Sequence, residues 1–330
     1  MNKPVVYITR TLPEAQLQTL ADHAEIRMWK EADIPVPEEV LAAEAAEADG
    51  LLTMMSDPVT DELLEKAPKL KVIANMAVGY DNIDMKAADR HGVYVCHTPD
   101  VLSDTTADLG WTLLLASARQ VTSAADYVKA GRWTGWGPFM FAGQQVHQAT
   151  IGIIGMGSIG TAVARRARGF DMTIYYHNRS RNAAAEEETG AVWMEKNDLL
   201  ENVDFVVLTA PLTEETKGMI DAEALERMKP TAHLINIARG PLVDEAALEN
   251  ALREKKIAGA GLDVFSNEPI GADHPLLQLE NVTALPHIGS AAVPTRQTMI
   301  ELAGLNIKDV LQGTQPRTAV PEHREKPPRS

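Results

Sequence analysis

The sequence predicts an α/β protein made of two doubly wound parallel-sheet domains, and three observations carry that prediction. Over the first hundred residues short apolar segments alternate with segments of helical periodicity, the pattern of a parallel sheet covered by helices on both faces. A second series of such segments runs from Thr150 to Ala284. The opening segment of that series leads directly into Gly155-x-Gly157-x-x-Gly160 and a helix-like run, Thr161 to Arg168, which makes the second domain Rossmann-like. A chain of 330 residues has length enough for two cores.

Taken in order, the first domain reads as strands Val5 to Thr9, Ile26 to Trp29, Gly50 to Met54, Leu70 to Ala74 and Tyr94 to His97. Helices Glu14 to His23, Glu38 to Ala48, Asp61 to Ala67 and one stopping at Gly92 lie between them. Pro99 and Asp100 punctuate the crossing into a long helix through Ala118, with Thr105 and Asp108 as its expected capping box. Strands Thr150 to Ile154, Met172 to Tyr176, Phe205 to Leu208, His233 to Asn236, Gly261 to Val264 and Val282 to Ala284 follow. A final helix, Pro294 to Leu311, returns the chain to the first domain. The expected domains are therefore residues 1–99 with 292–330, and residues 100–291. Thr314 to Ser330 holds four prolines and little to bury, so a surface-draped or disordered end is expected.

Composition bounds the partners. Hydrophobic residues make up 45% of the chain and charged residues 23%, as in an ordinary soluble globular protein. A formal charge of −15 argues against nucleic acid or an anionic membrane as partner, and an anionic ligand must be drawn in by local positive groups. Cys96 is the single cysteine, which excludes an intrachain disulfide and a cysteine-based metal cluster; it is expected as a buried thiol, and no metal site is expected. The first residues enter a strand without the apolar core of a signal peptide, and no apolar run approaches the ~18 residues of a membrane span. The expectation is a cytoplasmic protein.

The glycine turn implies a dinucleotide. Gly155 permits the tight turn, Gly157 removes the side chain that would block a pyrophosphate, and Gly160 lets the helix approach the strand. The helix N-terminus offers its unpaired N–H groups to phosphate. The next strand ends in His177-Asn-Arg-Ser-Arg181, where an NAD-selective site would place a carboxylate for the ribose hydroxyls. Asn178, Arg179, Ser180 and Arg181 suit a 2′-phosphate instead, so NADP(H) is the expected preference with NAD(H) possible. The competing reading makes both arginines solvated loop charges.

Two loops stand out. After the strand ending at Ala74, the segment Asn75 to Asp84 presents Val78 and Gly79, whose N–H groups suit a small carboxylate at a strand exit; an ordinary strand-to-helix turn accounts for the same residues. Between Gly131 and Gly143 lie Trp133, Trp136, Phe139 and Phe141. Such a patch is covered either within its own subunit or at a homodimer contact bordering a substrate cleft.

Three polar residues stand just beyond strands of the second domain: Arg239, Glu268 and His287. Reduction of a ketone by a nicotinamide needs a hydride at carbon, a proton at oxygen and a fixed orientation. Imidazole ordinarily titrates near neutrality and can donate the proton, Glu268 can hold its tautomer, and Arg239 can clamp a carboxylate and polarise the carbonyl. The corresponding site is an active-site cleft between the domains.

These residues add up to a resemblance. Val78-Gly-Tyr-Asp-Asn-Ile-Asp84, Gly155-Met-Gly-Ser-Ile-Gly160, Asn236-Ile-Ala-Arg-Gly-Pro-Leu-Val-Asp244, Gly261-Leu-Asp-Val-Phe-x-x-Glu-Pro269 and Pro286-His-Ile-Gly289 resemble the D-2-hydroxyacid dehydrogenases over nearly the whole chain, most closely their glyoxylate/hydroxypyruvate reductase branch. The resemblance implies NAD(P)H-dependent reduction of a small anionic 2-keto acid, with Arg239, Glu268 and His287 as the catalytic set. Val78, Gly79, Arg239, His287 and Trp136 are then the substrate residues. The implied cofactor residues are Thr106, Gly155, Gly157, Ser158, Ile159, Gly160, Asn178, Arg179, Ser180, Arg181, Ala210, Pro211, Thr216, Ile237, Ala238, Asp263, His287 and Gly289. A homodimer is implied as well, with the loop near Trp136 reaching the partner's active site. Similar phosphite dehydrogenases carry lysine where Val78 stands, and phosphoglycerate dehydrogenases often add a regulatory domain where only a short tail follows here. Nucleotide-sensing corepressors keep much of the same fold and form the competing class. Met54, Met55, Met76 and Trp136 either shape the substrate's side-chain pocket or, for the methionines, pack the core.

Overall fold

The computed structural model describes residues 3–326. The chain begins β1 (Val5–Ile8), α1 (Glu14–Ala21), β2 (Glu25–Met28), α2 (Glu38–Ala45), β3 (Gly50–Thr53), α3 (Asp61–Glu65), β4 (Val72–Asn75), α4 (Met85–His91) and β5 (Tyr94–Cys96). It continues with α5 (Ser103–Ala118), α6 (Val121–Lys129), β6 (Thr150–Ile154), α7 (Ser158–Ala167), β7 (Thr173–His177), α8 (Ala183–Thr189) and β8 (Val192–Trp193). The remainder is α9 (Lys196–Asn202), β9 (Phe205–Leu208), α10 (Ala222–Arg227), β10 (His233–Asn236), α11 (Glu245–Arg253), β11 (Gly259–Leu262), β12 (Val282–Ala284) and α12 (Val293–Leu311). Two compact units result, Met1–Leu102 with Ala291–Ser330 and Ser103–Ser290. Among the described residues no helix is long and apolar enough to cross a membrane.

In the first unit five parallel strands lie in the order β2-β1-β3-β4-β5. Strands β3, β4 and β5 are buried along their whole length, as strands covered on both faces must be. Helix α12 packs on α1, β3 and β4. Asp84 caps α4 by accepting the Ala87 N–H at 2.9 Å, and Gly92 ends it at φ +65°.

The second unit orders its parallel strands β12-β11-β10-β9-β6-β7-β8. Alternate residues of β9 serve opposite faces: Val206 and Leu208 join Leu234 and Leu248 on one, while Phe205 and Val207 join Trp111, Ile151 and Ile153 on the other. The strand order reverses between β6 and β9, the switch point at which ligands of open α/β sheets bind. Register aligns Ile154 with His177 and Leu208, and Asn236 with Leu208 and Leu262, so the loops that follow leave one edge of the sheet.

Several expectations need correction. Of the two forms expected for the tail, the disordered one does not hold: through Lys326 it is ordered and mostly exposed, with Ala319 bridging Cys96 antiparallel, Val320 donating to the Val95 carbonyl at 3.1 Å, and Ala319, Val320 and His323 buried. Two apolar residues and one histidine suffice to pin a segment whose composition is otherwise polar; residues 327–330 lie outside the described residues. The capping box of Thr105 and Asp108 does not form, because α5 already begins at Ser103 and the Asp108 carboxylate takes Arg166 at 2.7 Å. Strand β11 starts two residues earlier than read, at Gly259, since Gly259 and Gly261 are required where His233 and Ile235 press on the strand. Helix α6 and the two-residue β8 were not anticipated; α6 buries none of its residues, so no core-facing stripe marks it.

Candidate active site

The glycine turn after β6 has the geometry its three positions demand. Gly155 sits at φ +108°, and a Cβ there would lie 2.4 Å from the Ala210 nitrogen beyond β9. Gly160 packs so closely that its Cβ would fall 2.3 Å from the Gly155 carbonyl oxygen. Gly157 differs: a Cβ would meet nothing within 4 Å, so the space beside it is open, and it is the N-cap of α7 ahead of Ser158 and Ile159. An open glycine at a helix N-terminus fits a cofactor pyrophosphate. The peptide between is clamped, with Met156 N–H donating to Asn178 Oδ1 at 2.6 Å and Met156 O accepting from Asn182 Nδ2 at 2.8 Å. Asn178 thus braces the turn with its side chain.

Beyond β7 the two arginines part. Arg179 and Ser180 are exposed. The fork of Arg181 is taken by Glu186, at 3.0 Å from Nε and 2.6 Å from Nη2, and Tyr176 donates its hydroxyl to the same carboxylate at 2.6 Å. Arg181, followed by Tyr176, pulls the Glu186 carboxyl down to about 2. The basic pair is plain in the sequence, whereas Glu186 is signalled only by its spacing of five residues from Arg181.

Arg239, Glu268 and His287 follow β10, β11 and β12 respectively. His287 Nδ1–H donates to Glu268 Oε2 at 2.7 Å, and Glu268 Oε1 accepts the Phe265 N–H at 2.8 Å. Burial pushes the Glu268 pKa up, yet the His287 contact, the Phe265 N–H and the Arg239 charge together leave it below the usual carboxylate value. Arg239 is half-buried and donates to its neighbour's carbonyl, Ala238 O, at 2.7 Å. Gly240 is required beside it, since a Cβ would lie 1.9 Å from the Phe265 carbonyl carbon. The arginine and glutamate loops can therefore touch backbone to backbone. His287 itself stands at φ +54°, and the peptide after it is fixed by Asp263, whose two oxygens accept the Ile288 and Gly289 N–H groups at 2.8 Å each. Asp263 is 1% exposed and burial raises its pKa. Thr106 lies against Gly289, so Thr106, Asp263 and Gly289 form one support beneath the histidine loop.

The remaining predicted residues fall as follows. Ala210 backs Gly155, and Ile237 and Ala238 are buried after β10. Thr216 spends its hydroxyl on the Pro211 carbonyl at 2.7 Å, closing the turn after β9. Trp136 is 83% exposed, Phe139 86% and Trp133 59%, so in a single chain three of the loop's four aromatics are not packed away, while Phe141 is half-buried with its ring 5.3 Å from that of Tyr127. Val78 and Gly79 occur in the first unit, in the loop after β4. Met76 is in the core, Met54 and Met55 are half-buried, and Cys96 is a buried thiol whose pKa burial raises.

Similarity to known proteins bears on the family. Residues 111–289 match the family described as D-isomer specific 2-hydroxyacid dehydrogenase, NAD binding domain. A glyoxylate reductase of Thermococcus kodakarensis is 48% identical over 322 residues, covering 96% of each chain. The NADPH-dependent glyoxylate/hydroxypyruvate reductase of Sinorhizobium meliloti, solved with NADP and malonate, superimposes with a TM-score of 0.87 at 33% identity over 100% of both chains. A glyoxylate reductase from Paecilomyes thermophila gives a TM-score of 0.87 at 30% identity, covering 98% of this chain and 100% of that one. With a strand-end Arg, Glu and His set on a parallel sheet and these likenesses, the chain belongs to the D-isomer specific 2-hydroxyacid dehydrogenases, enzymes of nicotinamide-dependent 2-keto acid reduction.

Proposed function

We propose that this dehydrogenase reduces glyoxylate and hydroxypyruvate with a preference for NADPH. The observation that carries the reading is the 2.7 Å bond from His287 to Glu268. That bond places the proton of a neutral ring on Nδ1 and, when the ring is charged, leaves the Nε2 proton for the substrate oxygen. A nicotinamide cofactor held at the glycine turn by Gly155, Gly157 and Gly160 would supply the hydride to C2. His287 gives the proton to the developing alkoxide, so the ketone becomes a hydroxyl, and Glu268 stabilises the imidazolium beforehand. Arg239 holds the carbonyl oxygen and carboxylate, and the Val78 and Gly79 N–H groups are the further donors for the carboxylate.

The cofactor preference rests on the loop after β7. It carries no carboxylate at residues 178–181 to meet ribose hydroxyls, and its exposed Arg179 and Ser180 suit a phosphate. Arg181 serves chiefly to shape the loop through Glu186. Gly155, Gly157, Ser158, Ile159 and Gly160 take the pyrophosphate; Thr106, Ala210, Pro211, Thr216, Ile237, Ala238, Asp263 and Gly289 line the rest. The exposed aromatic loop belongs to a homodimer contact, with Trp136 reaching the partner's substrate site.

Specificity constants for a panel of 2-keto acids, each with NADPH and NADH, test the reading. Glyoxylate or hydroxypyruvate should lead the panel, with NADPH ahead of NADH. Tight cofactor binding without turnover of any 2-keto acid would favour the corepressor-like alternative.

A further inference from the structure

Three carbonyls in the loop after β4 are held by named donors. Ala77 O accepts the Thr98 N–H at 2.8 Å, Val78 O accepts His97 Nδ1–H at 2.8 Å, and Gly79 O accepts Asn75 Nδ2–H at 2.9 Å. In a planar trans peptide the C=O of one residue and the N–H of the next point in opposite directions. Fixing Ala77 O therefore aims the Val78 N–H, and fixing Val78 O aims the Gly79 N–H. Among the described residues neither of these two N–H groups donates a hydrogen bond.

We propose that Asn75 and His97 are positioning residues for substrate recognition: His97 holds the Val78 carbonyl and so aims the Gly79 N–H, Asn75 holds the Gly79 carbonyl and so locks the peptide on the other side of Gly79, and with Thr98 on Ala77 O both the Val78 and Gly79 N–H groups are kept facing the carboxylate of the 2-keto acid. The proposal rests on reading this loop as the carboxylate cradle. Both side chains are themselves immobilised. Asn75 Oδ1 accepts the Thr53 hydroxyl at 3.0 Å, and its Nδ2 also reaches Asn82 Oδ1 at 3.0 Å. The backbone of His97 is gripped on both sides by Thr318 of the tail, N–H to Thr318 O at 3.1 Å and O from the Thr318 hydroxyl at 2.6 Å. Tyr80 presses its ring edge-on to the imidazole at 5.6 Å and donates its hydroxyl to Glu322.

A plain core role does not account for the imidazole. Its Nε2 is buried with no partner among the described residues, a loss of hydrogen bonding that an apolar side chain of similar size would avoid. What the ring does offer is one directed donor on Val78 O. Burial drives its pKa down, so the ring is neutral and the single proton stays on Nδ1.

The test compares His97→Leu, His97→Asn, Asn75→Asp and Asn75→Ser by steady-state kinetics and by inhibition with oxalate, a carboxylate that cannot be reduced. His97→Leu and Asn75→Asp should raise the KM for glyoxylate and the oxalate inhibition constant together, by about tenfold, with the KM for NADPH within about threefold of wild type. His97→Asn should recover most of the loss, because its amide nitrogen falls where Nδ1 lies. Asn75→Ser, which keeps a polar group of smaller size, gives a second reading should Asn75→Asp fail to fold. Wild-type KM and oxalate affinity in the folded variants, or equal losses for keto acid and NADPH, would overturn the proposal. If the wild-type chain reduced no 2-keto acid, the reaction reading would fall, and oxalate affinity in the same variants would still decide the positioning role.

Discussion

His287 and Glu268 share a 2.7 Å hydrogen bond, and the other oxygen of the carboxylate is held by the Phe265 N–H. The imidazole proposed as the acid is thus oriented by a group that is itself oriented by backbone. His287→Ala should lower kcat by about two to four orders of magnitude while leaving the KM for NADPH near wild type. Glu268→Gln should cost less, about ten- to a hundredfold, since the ring remains but its charged partner is lost. Arg239→Ala should raise the KM for the keto acid and lower kcat together. Turnover of His287→Ala close to wild type would require a different proton donor.

The two arginines after β7 should separate experimentally. Arg179→Ala is expected to raise the KM for NADPH about tenfold or more and to leave NADH almost unaffected, the signature of a lost phosphate contact. Arg181→Ala breaks the pairing with Glu186 and should disturb both cofactors to similar extents. Kinetics with both cofactors for each variant decide this; equal loss in Arg179→Ala would remove that residue from cofactor discrimination.

Glycines at two loops give opposite outcomes on enlargement. Gly157→Val enters open space, so the melting temperature should hold while NADPH affinity falls about a hundredfold. Gly240→Ala meets the Phe265 backbone at 1.9 Å and should lose both stability and activity. Calorimetry beside cofactor titration checks the pair, and a Gly157→Val protein that binds NADPH normally would contradict the pyrophosphate assignment.

Sedimentation should give about twice the 35.9 kDa chain mass at micromolar concentration. Replacing Trp133 and Phe139 by serine should shift the protein toward monomer, whereas Trp136→Ala should chiefly raise the KM for the keto acid. A monomeric wild-type chain would dismiss the shared-site arrangement.

Acid stability draws on the buried histidines His97 and His233, both of whose pKa values burial lowers. His233 is 5% exposed, bonded to the Ser117 hydroxyl at 2.8 Å, and burial pushes its pKa from 6.5 down to about 4. A base whose folded pKa is depressed favours the folded state fully above its unfolded value and loses that contribution as pH falls from 6.5 toward 4. The loss should reach roughly 3 kcal/mol. Urea unfolding across this window should show a steeper decline in wild type than in His233→Leu; parallel curves would assign the acid sensitivity to His97 and to carboxylates instead.

Periodicity and glycine spacing revealed most of the architecture because buried parallel strands are apolar runs and a dinucleotide turn needs glycine for steric reasons. The strand-exit rule likewise marks Arg239, Glu268 and His287 as candidates, and His97 stands at the same kind of position after β5. Other features were invisible for physical reasons: α6 buries nothing, Gly259 and Gly261 are poor strand formers used where neighbours crowd the backbone, and the tail's anchoring depends on contacts hundreds of residues away. The pairing of Arg181 with Glu186 in α8 is likewise a contact that residue type alone does not reveal.

The split of the first unit across the chain has a consequence for biosynthesis. Strands β1 to β5 leave the ribosome early, but the helix that covers β3 and β4 and the segment that pairs with β5 come after the whole of residues 103–290. The inserted unit can mature first, while the opening hundred residues wait with one greasy flank uncovered. A nascent chain stalled before Val293 should therefore hold a protease-resistant insert beside a digestible N-terminal portion that holdase chaperones grip, and release of the completed polypeptide should end that sensitivity.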